Sequence, residues 1–328
     1  MRDQFERNIN YMRVSVTDLC NLRCTYCMPK SGVHQISHDE ILTFDEIVRV
    51  CRIGAELGIS RIKLTGGEPL VRKGVEKLAE MLCQTPGIEQ VTLTTNGVFL
   101  KEKLPVLQQA GVHSVNISLD TMDREQYQKL TGTDCLLQVM ESIYAALEQG
   151  LQVKVNCVAL KDQNESQWSK IAALAKSYPL DVRFIEMMPI GLGKSCLGSL
   201  QETVQKQLEA VYGEAKPEAD LSAERGNGPA VYWEFPGFQG KIGFISAISH
   251  KFCADCNRIR MTAEGFVKPC LQFAKGVDMR ALLRGQNEDI VLKEALKQLI
   301  YEKPRCHQFE TEDEDESLEQ REMSRIGG

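Results

Sequence analysis

The chain has 328 residues, 43% hydrophobic and 26% charged, enough for a sizeable core in one large or two modest domains. A net charge of −6 speaks against broad binding to nucleic acid or an anionic membrane, so an anionic ligand must meet basic residues gathered locally. The opening MRDQFERNINYM has no apolar signal core, and no apolar run approaches roughly 18 residues. The chain therefore reads as cytoplasmic, and its twelve cysteines as metal ligands or inert core thiols before disulfides.

From Tyr11 to about Met188, strands and helices alternate. Strand-like runs fall near 11–17, 61–65, 90–95, 113–119, 151–158 and 181–187. Thr43 and Glu46 form a capping box ahead of Ile47, Val50 and Cys51 at helical spacing, and Gly58 closes that helix. Leu78, Met81 and Leu82 mark a second helix. Val139, Ile143 and Leu147 mark a later one, closed by Gly150.

Six β-then-α units imply a parallel sheet. Parallel strands buried on both faces usually run continuously apolar, yet most of these alternate. Met12 and Val14 oppose Arg13 and Ser15; Ile62 and Leu64 flank Lys63; Val91 and Leu93 oppose Thr92 and Thr94. Val115, Ile117 and Leu119 oppose Asn116, Ser118 and Asp120, while Val153 and Val155 oppose Lys154 and Asn156. An antiparallel sheet with one wet face would alternate too, but the intervening helices speak against it. The expected fold is α/β, a partial (β/α)6 barrel of the TIM type with helices outside and a polar lumen. The sixth run, DVRFIEMM, is too mixed to show a parity. Beyond about 189 the pattern loosens into a helix at 199–212, a Gly/Pro-rich stretch at 225–240 and a helix at 288–301. An acidic run from Glu312 to Glu316 reads as a solvated segment. The chain thus divides into a barrel over 1–190 and a C-terminal extension over 191–328.

The motifs lie along this frame. TDLCNLRCTYC spaces Cys20, Cys24 and Cys27 as C-x3-C-x2-C. A disulfide would leave one thiol over, and a structural zinc site would need a fourth ligand from elsewhere. Three thiolates suit an iron–sulfur cluster with one metal position open. TGGEPL at 65–70, TTNG at 94–97 and NISLD at 116–120 follow at strand ends, where barrel active sites lie. GLGKS at 191–195 ends like a phosphate-binding loop, but Met188 stands where its first glycine should be, so it reads as an ordinary loop. FCADCNRIRMT with Cys270 gives a second set, Cys253, Cys256 and Cys270, again one ligand short. On these residues alone, a zinc knuckle completed by His250 and an iron–sulfur site are equally good readings. Cys51, Cys83, Cys135, Cys157, Cys196 and Cys306 are isolated and read as buried or unreactive thiols. The five histidines form no zinc or triad pattern.

The first cysteine loop, with Tyr26 before its last cysteine and TGGEPL downstream, resembles the radical S-adenosylmethionine (SAM) superfamily. With the second set and the interposed Arg258 and Arg260, the chain closely resembles the GTP 3′,8-cyclase family, which opens molybdenum cofactor biosynthesis. The likeness runs over essentially the whole chain to MSRIGG. It implies two [4Fe–4S] clusters, one on Cys20, Cys24 and Cys27, the other on Cys253, Cys256 and Cys270. It implies SAM contacts at Tyr26, Gly67, Ser118 and Met188, and GTP contacts at Arg13, Lys63, Thr94, Lys154, Arg258 and Arg260. Four of those GTP positions have the lumen parity found from alternation alone. Lys63 stands where the family often has arginine, which keeps the charge and puts bidentate geometry in doubt. Gly327 and Gly328 are implied to thread into the barrel as catalytic residues.

The resemblance also implies a reaction. A 5′-deoxyadenosyl radical removes hydrogen from the ribose 3′ carbon, which then bonds to carbon 8 of guanine, giving (8S)-3′,8-cyclo-7,8-dihydroguanosine 5′-triphosphate. The second cluster anchors the guanine. Implied partners are a flavodoxin- or ferredoxin-like one-electron donor and cyclic pyranopterin monophosphate synthase as the next enzyme; a homodimer is allowed. The rival within the superfamily is a peptide maturase with an auxiliary cluster, which usually carries a longer cysteine series. A rival of another class is a non-catalytic iron–sulfur carrier or zinc-binding adaptor.

Overall fold

Alternation in the first strand sorts its side chains between two surroundings. In β1 (Tyr11–Ser15), Met12 and Val14 are fully buried in the apolar core, while Arg13 borders an internal cavity. The computed structural model describes residues 1–33, 36–219, 226–309 and 318–326.

After β1 the capping box forms as read. Glu46 N donates to Thr43 Oγ1 at 3.2 Å, and Thr43 N donates to the Glu46 carboxylate at 2.7 Å. They start α1 (Phe44–Glu56), which buries Ile47, Val50, Cys51 and Ile53. Then follow β2 (Arg61–Thr65), α2 (Val75–Cys83), β3 (Gln90–Thr95), α3 (Leu100–Gln109) and β4 (Ser114–Ser118). Two helices, α4 (Arg124–Thr131) and α5 (Leu136–Glu148), precede β5 (Gln152–Ala159), α6 (Trp168–Ser177) and β6 (Asp181–Glu186). The extension gives α7 (Gln201–Tyr212), then β7 (Lys216–Pro217), β8 (Val231–Glu234), β9 (Ile242–Ile245), β10 (Arg258–Met261), β11 (Phe266–Lys268) and β12 (Val277–Asp278). It continues with α8 (Met279–Arg284) and α9 (Asp289–Tyr301).

These strands make one sheet in the order β12-β11-β10-β1-β2-β3-β4-β5-β6-β9-β8-β7. The six expected strands stand side by side and parallel. The extension adds a further parallel strand at each side, β10 against β1 and β9 against β6, with antiparallel strands beyond. A barrel left open between its first and last strands thus has both flanks extended by later chain. One large core joins the apolar parity of the strands to the helices, and a small one joins Ile190, Leu271 and Ile326. Among the described residues no helix is long and apolar enough to cross a membrane. The acidic run 312–316 lies outside the described residues.

Candidate active site

The strand ends carry the site because register aligns the lumen residues in rows. Arg260, Arg13 and Lys63 are direct partners across β10, β1 and β2. Thr94 pairs with Asn116, and Asn116 with Lys154; Asn156 pairs with Arg183. Two adjoining cavities open on these rows, of about 980 and 1270 Å³ counting the space open to solvent. They share Arg13, Thr94, Asn156, Met188 and Arg260 as common wall.

One cavity is bordered by Cys20, Cys24 and Cys27 together with Tyr26, Gly67 and Ser118. The TGGEPL turn lies directly on the cysteine loop, Gly67 N donating to Thr17 O at 2.7 Å and Glu68 N to Leu19 O at 2.8 Å. A Cβ on Gly67 would fall 2.4 Å from the Leu19 carbonyl oxygen, so only glycine permits this approach. Glu68 is buried and accepts from Leu70 N, Thr95 Oγ1 and Asn96 N; burial pushes its carboxyl up to about 7 despite those donors. Tyr26 donates to Asp120 at 2.6 Å, and burial lifts Asp120 to about 6. Burial, with the neighbouring thiols and Asp120 adding to it, raises Cys24 well above its ordinary value. Burial also takes Cys27 to about 12.

The other cavity is bordered by Cys253, Cys256 and Cys270. Its described lining carries six cations, Arg13, Lys63, Arg183, Arg258, Arg260 and Lys303, and no carboxylate. Burial first, and then the neighbouring cations, hold Lys63 well below the ordinary lysine value; burial, Arg13 and Arg258 do the same to Arg260. Burial works against the Cys256 thiolate, yet Arg258 and Lys303 outweigh it and bring the thiol to about 6. An Arg258 guanidinium N–H also points at Cys256 Sγ at 4.0 Å.

The donor set fits iron–sulfur clusters better than single ions. Among the described residues no three His, Cys, Asp or Glu are placed to hold one metal ion. Each thiol triplet borders one cavity. N–H groups aimed at sulfur, from Leu22 and Asn96 to Cys20 and from Arg258 to Cys256, suit cluster thiolates. His250, the candidate fourth zinc ligand, is exposed, hydrogen-bonds Ser249 and does not border the cavity.

Most of the sequence-predicted residues thus gather around the two cavities. Lys154 is the exception. It is buried, yet borders neither cavity in its described lining, and lies within electrostatic reach of Lys63. Gly327 and Gly328 lie outside the described residues. The residues leading to them are docked: Met323 and Ser324 border the first cavity and Ile326 is fully buried. GLGKS forms a short turn whose Leu192 N–H is taken by Glu322 at 3.1 Å, so it receives the tail rather than a phosphate.

A model of the radical SAM superfamily matches residues 14–175, and one described as Molybdenum Cofactor Synthesis C matches residues 180–309. A GTP 3′,8-cyclase of Clostridium perfringens (strain SM101) is 44% identical over 328 residues, covering 100% of both chains. The chain belongs to the GTP 3′,8-cyclase family. Another family member, from Pelotomaculum thermopropionicum, is 41% identical over 330 residues, again covering 100% of both. Among solved structures, Streptococcus suis SuiB bound to precursor peptide SuiA superposes with TM-score 0.62 at 14% identity, over 92% of this chain and 66% of that one. SuiB bound to S-adenosylmethionine gives 0.61 at 16%, over 90% and 66%. These two likenesses are of fold.

In this GTP 3′,8-cyclase, Arg183 is the cavity cation that sequence reasoning missed. Val182 and Phe184 are buried on one parity and Arg183 borders the cavity on the other, but Ile185 borders the cavity too and blurs the alternation. Arg183 Nε donates to Asn156 Oδ1 at 2.9 Å. Gly243 of β9 makes room for it, since a Cβ there would lie 3.0 Å from Arg183 Cγ. Lys303 was missed as well, because it lies far along the chain in no recognisable motif.

Proposed function

We infer that the chain cyclises GTP to (8S)-3′,8-cyclo-7,8-dihydroguanosine 5′-triphosphate, the first step of molybdenum cofactor biosynthesis, with the two adjoining cavities holding SAM and GTP side by side. The observation that carries the arrangement is the shared wall between a cysteine-bordered cavity and a second, cation-rich one. Held by Cys20, Cys24 and Cys27, an iron–sulfur cluster with SAM would supply a 5′-deoxyadenosyl radical, and a second cluster held by Cys253, Cys256 and Cys270 would anchor the guanine.

The chain's own residues position the reactants. Tyr26, Gly67, Ser118 and Met188 surround the SAM place, Tyr26 being fixed by its bond to Asp120. Arg13, Lys63, Arg258 and Arg260 take the triphosphate charge, with Thr94 at the wall and Lys154 supporting from behind. Arginines grip phosphate bidentately while Lys63 acts as a point charge, so its loss weakens the triphosphate without undoing the grip. Cys20, Cys24 and Cys27 hold the cleaving cluster; Cys253, Cys256 and Cys270 hold the anchoring one. Gly327 and Gly328 are the catalytic residues in this reading, and the segment ahead of them borders the first cavity.

In this reading residues 1–190 form the radical-generating barrel, which also meets much of the triphosphate, and 191–328 form the extension that carries the second cluster. The chain works in the cytoplasm and draws single electrons from a flavodoxin- or ferredoxin-like donor. It passes its product to cyclic pyranopterin monophosphate synthase, alone or as a homodimer. The peptide-maturase alternative has likeness of fold on its side, at 14–16% identity, against 44% identity over the full length of a cyclase. Anaerobic turnover with GTP deuterated at the ribose 3′ carbon is the test, and label is expected in 5′-deoxyadenosine. Label arriving from the 4′ or 5′ position, or from no part of GTP, rejects the reaction.

A further inference from the structure

The second cysteine set is held together by two buried cations from opposite ends of the chain, and they differ in how their charge is met. Arg7 is neutralised where it stands, since its guanidinium pairs with buried Asp3 at 2.6 Å. Its remaining N–H groups donate to the carbonyls of Cys253 at 2.8 Å, Pro304 at 2.8 Å and Arg305 at 2.9 Å. Lys303 is 2% exposed, and both acceptors of its ammonium are neutral carbonyls, Arg258 O at 2.9 Å and Pro269 O. Arg258 follows Cys256 by two residues and Pro269 immediately precedes Cys270. One ammonium therefore ties together the two arms that carry these thiols. Lys303 also borders the cavity with all three cysteines. A buried ammonium bonded only to carbonyls is costly unless a negative group lies beside it. Three thiolates with their cluster are such a group.

We infer that Lys303 is a positioning residue of the second cluster, fixing the arms of Cys256 and Cys270 and supplying the positive charge that favours the cluster's reduced form. The inference rests on the reading that these cysteines hold an iron–sulfur cluster. Each electron added makes the centre more negative, so a nearby fixed cation raises its potential.

The two contributions separate in variants of the full-length protein carrying Cys24→Ala, in which the second site alone keeps its ligand set. Lys303→Gln retains an N–H donor and loses the charge. It should keep the second cluster's iron while its midpoint potential, followed by electron paramagnetic resonance during a redox titration, moves to more negative values. Lys303→Arg should restore the potential. Lys303→Met loses donors and charge and should lose at least half of the second-site iron. Made without Cys24→Ala, Lys303→Met should still cleave SAM, which shows that the barrel has folded. An unchanged potential in Lys303→Gln, or full iron with an unchanged spectrum in Lys303→Met, overturns the inference. A Cys24→Ala protein with Lys303 intact that holds no cluster overturns the reading of the second cysteines, and this inference with it.

Discussion

Lys63 shows how function and stability oppose each other at a single position. Its ammonium is buried beside Arg13, Arg183 and Arg258, an arrangement that suits a polyanion and strains the empty protein. Replacing Lys63 with methionine should weaken GTP binding by tens- to thousands-fold, about 2–5 kcal/mol, the usual cost of removing one charged partner. Lys63→Arg should keep binding. The effect on the ligand-free fold has the opposite sign. Because the folded pKa lies below the unfolded one, the charged lysine destabilises the ligand-free protein at any pH below the folded value. That penalty disappears as pH rises from the folded value toward the ordinary one near ~10.4. Denaturant unfolding of ligand-free wild type and Lys63→Met should thus show the wild type gaining on the variant as pH rises toward ~10.4. A difference that stays flat with pH would remove the electrostatic account. Inorganic triphosphate should stabilise the wild type at neutral pH, by about 2.7 kcal/mol at a hundred times its dissociation constant.

At the scale of elements, the segment 318–326 is held in part by a buried ion pair. Leu318 bridges to Phe273, and Glu319 pairs with Lys268 of β11 and with Arg321. Burial works against the Glu319 carboxylate, yet Arg321 and Lys268 hold it down at about 2. Its contribution is therefore full above the ordinary glutamate value near ~4.3 and is lost as pH falls from there toward 2. At the alkaline end burial lowers its partner Lys268 to about 8, so the pair weakens as pH passes that value. Glu319→Gln strands the Lys268 ammonium and should cost about 3–5 kcal/mol locally. The expected result is rapid amide hydrogen exchange over 318–326 and lost cyclisation, with iron content and SAM cleavage retained. Deletion of Gly327 and Gly328 should lose cyclisation in the same way but leave that exchange slow. Unchanged exchange in Glu319→Gln would show that the ion pair does not dock the segment. Helix starts and barrel parity were legible in the sequence because a capping box and a two-residue period are local signals. The Thr43–Glu46 box and the lumen places of Arg13, Lys63, Thr94 and Asn156 were found that way. Lys268–Glu319, Arg7–Cys253 and the flanking places of β9 and β10 join residues far apart in the chain, and no local pattern announces them. In β6 the signal was present and Ile185 concealed it.

For the whole molecule, the sheet makes the two functional halves one folding problem. Without β9 and β10, the strands β1 and β6 would each expose an unpaired edge. The two metal sites nevertheless remain chemically separable. Anaerobically reconstituted protein should carry about eight irons per chain, as two four-iron clusters require. Cys24→Ala should abolish SAM cleavage, while Cys256→Ala should keep some cleavage uncoupled from GTP; stoichiometric zinc without iron at the second set would reject its assignment. The clamp on that second set also fixes a timetable. Synthesis runs from the N-terminus, so Cys20, Cys24 and Cys27 leave the ribosome long before Lys303 does. Cys256 and Cys270, by contrast, must wait for the residue whose ammonium ties their arms together. Closing the second cysteine set is thus among the last steps that synthesis allows.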